Sequence, residues 1–153
     1  MTDKLYIHYG STRFDSARFI PIKNREVFAK PTGGLWGSPV DAEFGWNDWC
    51  KAEDFGECND DESFLFALTD TANVLYINSV SDLSELPKID LGFSFSTWVL
   101  LDFEKLVNTG IDAIQMNMSN GRCRNIDQDL YFQMYGWDCD SILVMNKVVI
   151  VEK

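Results

Sequence analysis

Histidine is almost missing from this chain: His8 is the one imidazole in 153 residues. The four cysteines, Cys50, Cys58, Cys123 and Cys139, show no Cys-x-x-Cys spacing. A zinc site is therefore poorly supplied, no metal is expected, and the cysteines are expected as reduced thiols. Positive charge is scarce as well. Thirteen Lys and Arg face 24 Asp and Glu, giving a net charge of −11, and such a surface repels phosphate backbones and anionic lipid. Nucleic acid is a disfavoured partner and a basic protein a better one. No apolar run reaches the roughly 18 residues that a membrane span requires. The opening Met-Thr-Asp-Lys carries charge where a signal peptide needs its apolar core, so the expectation is a cytoplasmic protein without membrane contact. There is no internal repeat, low-complexity tract or convincing linker, and residues 1–153 read as one domain.

What the chain has in quantity is apolar and aromatic side chains. Hydrophobic residues make up 46%, with eleven Phe and five Trp, which excludes disorder and suits a domain that buries roughly two thirds of its unfolded surface. Leu5, Ile7 and Tyr9 alternate with Tyr6 and His8, a short strand ending at Gly10 and Ser11. Residues 12–32 are irregular, with Phe14, Phe19, Ile20 and Ile22 as packing anchors. Leu35 and Trp36 form a second strand, after which Ser38 as N-cap, Pro39 and Asp41 predict a helix to about Phe55. Residues 56–62 form an acidic loop. Strands are predicted at 64–68, 74–80, 111–118, within 138–146 and at 148–151. Helices are predicted from Ser81 to Leu86, from Trp98 to Val107 with Gly110 beyond as cap, and from Asp127 to Tyr135. The class is α+β.

The glycine-rich stretch Lys30 to Ser38 (Lys-Pro-Thr-Gly-Gly-Leu-Trp-Gly-Ser) surrounds Trp36 with three glycines, so either a turn needs positive φ or something lies close against the chain. Its spacing is neither the dinucleotide fingerprint nor a phosphate loop, and Gly10-Ser-Thr-Arg-Phe14 is not a nucleophile elbow. Three separated signals remain: His8 at a strand end, Trp36 among glycines, and the carboxylates Asp138 and Asp140 at the start of a late strand.

In that order these motifs resemble the ADP-ribosyltransferase superfamily, in the branch whose triad is histidine, tyrosine and glutamate. Leu5-Tyr-Ile-His-Tyr-Gly-Ser11 is similar to the family's strand ending in His-Gly-Ser, with one residue inserted. Gly33-Gly-Leu-Trp-Gly-Ser38 is similar to its glycine-rich segment, with Trp36 where the tyrosine stands. Cys139-Asp-Ser-Ile-Leu-Val-Met145 is similar to its third motif, with Asp140 where the glutamate stands. The resemblance spans residues 5 to about 151 and is closest to small bacterial or phage mono-ADP-ribosyltransferases.

It implies a single domain of short strands in a split, largely antiparallel two-sheet core with a few flanking helices. It further implies a transferase that uses NAD as substrate, cleaves the nicotinamide–ribose bond and modifies a macromolecule, more readily a protein than a nucleic acid. Asp140, His8 and Trp36 would be the catalytic set, and His8, Tyr9, Gly10, Ser11, Gly34, Leu35, Trp36 and Ser38 would hold NAD. Asp140 would stabilise the oxocarbenium-like ribose, Trp36 would stack on the nicotinamide and His8 would hold a ribose hydroxyl. The alternative is a noncatalytic acidic interaction or inhibitor protein on the same fold, acting on a basic partner.

Overall fold

The computed structural model describes residues 4–25, 29–56, 58–90, 99–117, 137 and 139–153. The helix expected at 127–135, Cys123 and Asp138 lie outside them. The described residues form a mixed α+β structure dominated by one sheet of seven short strands in the order β4-β7-β8-β2-β1-β3-β9, with a small two-stranded sheet of β5 and β6. The strands are β1 (Tyr6–Tyr9), β2 (Leu35–Pro39), β3 (Ser63–Leu68), β4 (Val74–Ile77), β5 (Lys88–Asp90), β6 (Val99–Leu101), β7 (Ala113–Met116), β8 (Ser141–Val144) and β9 (Ile150–Glu152). Two short helices, α1 (Trp46–Ala52) and α2 (Phe103–Asn108), complete it. All pairings in the large sheet are antiparallel except β4 with β7.

Side chains alternate across an extended chain, and the core follows that rule on both faces of the sheet. Leu143, Ile114, Met116 and Ile77 face one cluster with α2, Leu101 and Trp137. Ile142, Val144, Ala113, Leu35 and Phe66 face the other. On that second face Tyr6 donates its hydroxyl to Gln115 Oε1 at 2.8 Å, so the buried amide oxygen is satisfied across the sheet.

β2 changes partner along its length. Leu35, Trp36 and Gly37 pair with Val144, Leu143 and Ile142 of β8, whereas Ser38 and Pro39 pair with Ile7 and Tyr6 of β1. Beside Trp36 the β1–β2 ladder therefore opens. Gly37 is required at the handover, because a Cβ there would stand 2.9 Å from the Ile7 carbonyl oxygen and 3.0 Å from the Phe66 ring.

Several expectations are corrected. The helix expected from Pro39 starts seven residues later, since Ser38 and Pro39 continue β2; Ser38 still caps α1, at a distance, its Oγ accepting the Trp46 N–H at 2.9 Å. The helix expected over 98–107 divides into β6 and α2. Asp102 caps α2 by accepting from Lys105 N, and Asn24 Oδ1 accepts from Phe103 N at 2.9 Å. Residues 147–149 form a turn of 3-10 helix before β9. Ile20 is 63% exposed and anchors nothing, unlike Phe14, Phe19 and Ile22. Cys50 and Cys58 are joined in a disulfide, and Cys139 is a buried free thiol. Among the described residues no helix is long and apolar enough to cross a membrane.

Candidate functional site

Where the β1–β2 ladder opens, the missing backbone partner is replaced by a side chain. His8 Nδ1 lies 2.6 Å from the Trp36 carbonyl oxygen. A carbonyl only accepts, so Nδ1 carries the proton and donates, and in the neutral ring Nε2 keeps its lone pair. Burial pushes the His8 pKa below 6.5 against the opposing pull of this hydrogen bond, which favours that neutral form. The ring is braced by Phe64, 5.1 Å away between centroids.

The opening is the floor of a cleft of about 570 Å³, within the range that takes a small-molecule ligand. β1 supplies His8 and Tyr9, with Gly10 just beyond its end; β2 supplies Trp36, Gly37 and Ser38; Cys139 before β8 and Ser141 at its start complete this side. Two walls come from outside those strands: Lys30, and the α1 region with Trp46, Gly56, Asn59 and Glu62. Gly45 lets α1 press onto β2, since a Cβ there would meet the Ser38 Cβ at 3.3 Å. Lys30 Nζ stands 5.2 Å from the centre of the Trp36 ring. Behind Trp36 the buried Trp137 indole meets it edge-on at 4.8 Å, and its Nε1–H has no partner among the described residues, so shape rather than hydrogen bonding holds that wall.

Of the residues expected from the sequence, the cleft brings together His8, Tyr9, Gly10, Trp36 and Ser38. Ser11, Gly34 and Leu35 line a separate hollow with Arg13 and Phe14. Gly33 and Gly34 do adopt positive φ, at 85° and 74°, but what lies against them is the chain itself: added Cβ atoms would meet the Pro21 carbonyl oxygen at 2.3 Å and Leu143 at 2.7 Å. Of the three glycines in the stretch, Gly37 alone reaches the cleft.

Asp140 is 3% exposed and is not among the cleft-lining residues, although its neighbours Cys139 and Ser141 are. Asp140 sits with Cys139 in a bend ahead of β8. Its amide donates to the Phe44 carbonyl at 2.8 Å, tying it to the α1 side. The acidic residue in the cleft lining is Glu62, whose backbone carbonyl accepts the Gly10 N–H at 2.7 Å. That bond occupies the Gly10 amide donor. Lys30, Asn59 and Glu62 were missed by sequence reasoning. The pairing of Tyr9 with Ser63 is the signal that would have found Glu62, since it sets residue 62 beside Gly10.

Burial raises the Cys139 thiol pKa, against lowering contacts from Ser141, Lys30 and Ser38, so the thiol stays protonated near neutrality and is a poor nucleophile. Tyr9 is also raised, by burial and then by Asp60 and Asp48. Among the described residues no group of three or more histidine, cysteine or acidic side chains is arranged to hold a metal. No protein-family model matches the chain, and no match to it was found among curated proteins or solved structures.

Proposed function

We propose that this chain is a cytoplasmic, NAD-dependent mono-ADP-ribosyltransferase, and that the cleft floored by β1 and β2 is its NAD site. One observation carries the reading: His8 and Trp36, from motifs 28 residues apart, are hydrogen-bonded to each other at one end of a single cleft that also takes in Tyr9, Gly10 and Ser38. The exchange of partners along β2 further supports a split, ADP-ribosyltransferase-like sheet.

In this reading the nicotinamide ring lies on Trp36, its carboxamide meets the Gly10 carbonyl, and His8 Nε2 accepts a ribose hydroxyl. Lys30 supplies positive charge for the diphosphate. The C1′–nicotinamide bond breaks with its electron pair leaving on neutral nicotinamide, and a nucleophilic atom of the acceptor bonds C1′ and gives up a proton to water. Negative charge beside the ribose lowers that barrier. The resemblance assigns this charge to Asp140; the cleft geometry favours Glu62. In the reducing cytoplasm the Cys50–Cys58 bridge would be opened, loosening the α1 wall.

Incubation with NAD and cell lysate tests the proposal, read as nicotinamide release and as a mass gain of one ADP-ribose on an acceptor. Wild type is expected to give both, with a loss of at least about tenfold in Glu62→Gln, on the scale of one transition-state contact. Equal signal from wild type, Glu62→Gln and Asp140→Asn would remove the carboxylate role. The second reading, a noncatalytic acidic protein acting on a basic partner, is favoured by the position of Asp140 outside the cleft. Salt-sensitive partner binding that survives Asp140→Ala, without nicotinamide release, would support it.

A further inference from the structure

Among the described residues, three large aromatic side chains of the α1 region pack on one another and belong to neither core cluster. Trp46 and Trp49 stack at 4.9 Å with an 11° interplanar angle, and Phe55 meets both edge-on at 6.1 and 5.3 Å. None of the three belongs to either hydrophobic cluster, and Phe55 is 40% exposed. The Cys50–Cys58 disulfide closes the loop that carries Phe55, and Ser38 and Asp48 fix the start of the helix. Trp46 and Trp49 are half-buried, and aromatic area left outside the hydrophobic clusters suits a docking face.

The charge around it names that partner. Residues 41–62 hold nine of the chain's 24 acidic residues and one base, Lys51. Asp41, Glu43, Asp48, Glu53, Asp54, Asp60, Asp61 and Glu62 are exposed. A second copy of this chain, at −11, would set like charge on like. Aromatic faces ringed by carboxylates suit the guanidinium group, which stacks on rings and pairs bidentately with carboxylates, better than the compact, strongly hydrated ammonium of lysine.

We propose that the Trp46–Trp49–Phe55 face docks an arginine-rich polypeptide segment. Trp46, Gly56, Asn59 and Glu62 also line the cleft, so a segment lying on this face has its side chains at the cleft mouth. That the docked segment is the ADP-ribose acceptor rests on the transferase reading; the docking itself does not.

The test is fluorescence anisotropy of a labelled octa-arginine peptide with the whole chain, with NAD-dependent thermal stabilisation measured on the same samples. Wild type is expected to bind more tightly than it binds octalysine, and less tightly as salt rises. Trp49→Ala with Phe55→Ala is expected to weaken binding about two- to fivefold per ring, with the NAD shift unchanged. The isosteric set Glu43→Gln, Glu53→Gln and Asp61→Asn, all at exposed positions, is expected to lower affinity and flatten the salt dependence; it decides the matter if the aromatic variant does not fold. Octa-arginine binding unchanged in both variants, octalysine binding as tight as octa-arginine, or a concentration-dependent dimer abolished by Trp49→Ala would overturn the proposal. Variant-sensitive peptide binding without any NAD shift keeps the docking surface and removes the transferase reading.

Discussion

All four residues of β7 and all four of β8 are buried, Leu143 and Ile114 completely, with hydrophobic clusters on both sides. Between Asp41 and Glu62, by contrast, Cys50 is the one buried hydrophobic side chain among the described residues, and the segment is held by a remote serine cap, an aspartate and a disulfide. The first region is fixed by water exclusion spread over many contacts; the second is held by discrete hydrogen bonds, an aromatic stack and a disulfide. Both border the cleft, the first through Cys139 and Ser141 just before and at the start of β8, the second through Trp46, Asn59 and Glu62. One wall is therefore rigid and the other adjustable.

The largest effect expected is in the buried region. Leu143→Ala should cost about 2–5 kcal/mol, as truncation in a core that cannot collapse does, read from the urea midpoint. In the acidic segment, replacing Cys50 and Cys58 with serine, or adding reductant, should cost about 2–3 kcal/mol on the loop-closure estimate for a loop this short; hydrogen exchange should rise across 46–59 and leave β7 and β8 protected. A loss of protection in β8 on reduction would show that the two regions unfold as one. Ser38→Ala should remove the α1 cap at about 1 kcal/mol, seen as a lower thermal midpoint.

The smallest effect is on pH. Because the His8 pKa is depressed in the folded chain, its contribution to stability is complete above 6.5, the ordinary histidine value, and is eroded as pH falls toward the lowered one. If the cleft binds NAD as proposed, NAD-dependent thermal stabilisation should weaken over the same range, since a protonated Nε2 no longer accepts. His8→Gln should flatten both profiles.

The strands were the legible part of the fold because each is a short apolar run bounded by turn residues: β1, β4, β7 and β8 fall inside the runs that predict them, and β3 starts one residue earlier. The helix expected from Pro39 failed because Ser38 acts across eight residues, and capping read from sequence is local. Val99 to Val107 is apolar at helical spacing throughout, so the strand–helix boundary at Asp102 is set by Asn24, far away in the chain. A Cys–Cys separation of eight residues carries no geometry by itself, and the bridge was invisible. At the cleft, His8 and Trp36 were legible as strand-borne motifs, whereas Lys30, Asn59 and Glu62 lie outside the strands, where no local sequence pattern marks them. The glycine stretch borders the cleft through Gly37, while its other two glycines answer to the packing of the chain on itself.

The thiol of Cys139 turns the cleft into something that can be timed. It lines the cavity, is 1% exposed and has a raised pKa, so an alkylating reagent reaches it only as fast as the walls part and the thiolate forms. Its labelling rate, followed on the peptide that contains it, is a clock for how often the site opens. Any occupant, substrate or inhibitor, should slow that clock whether or not a bond is ever broken.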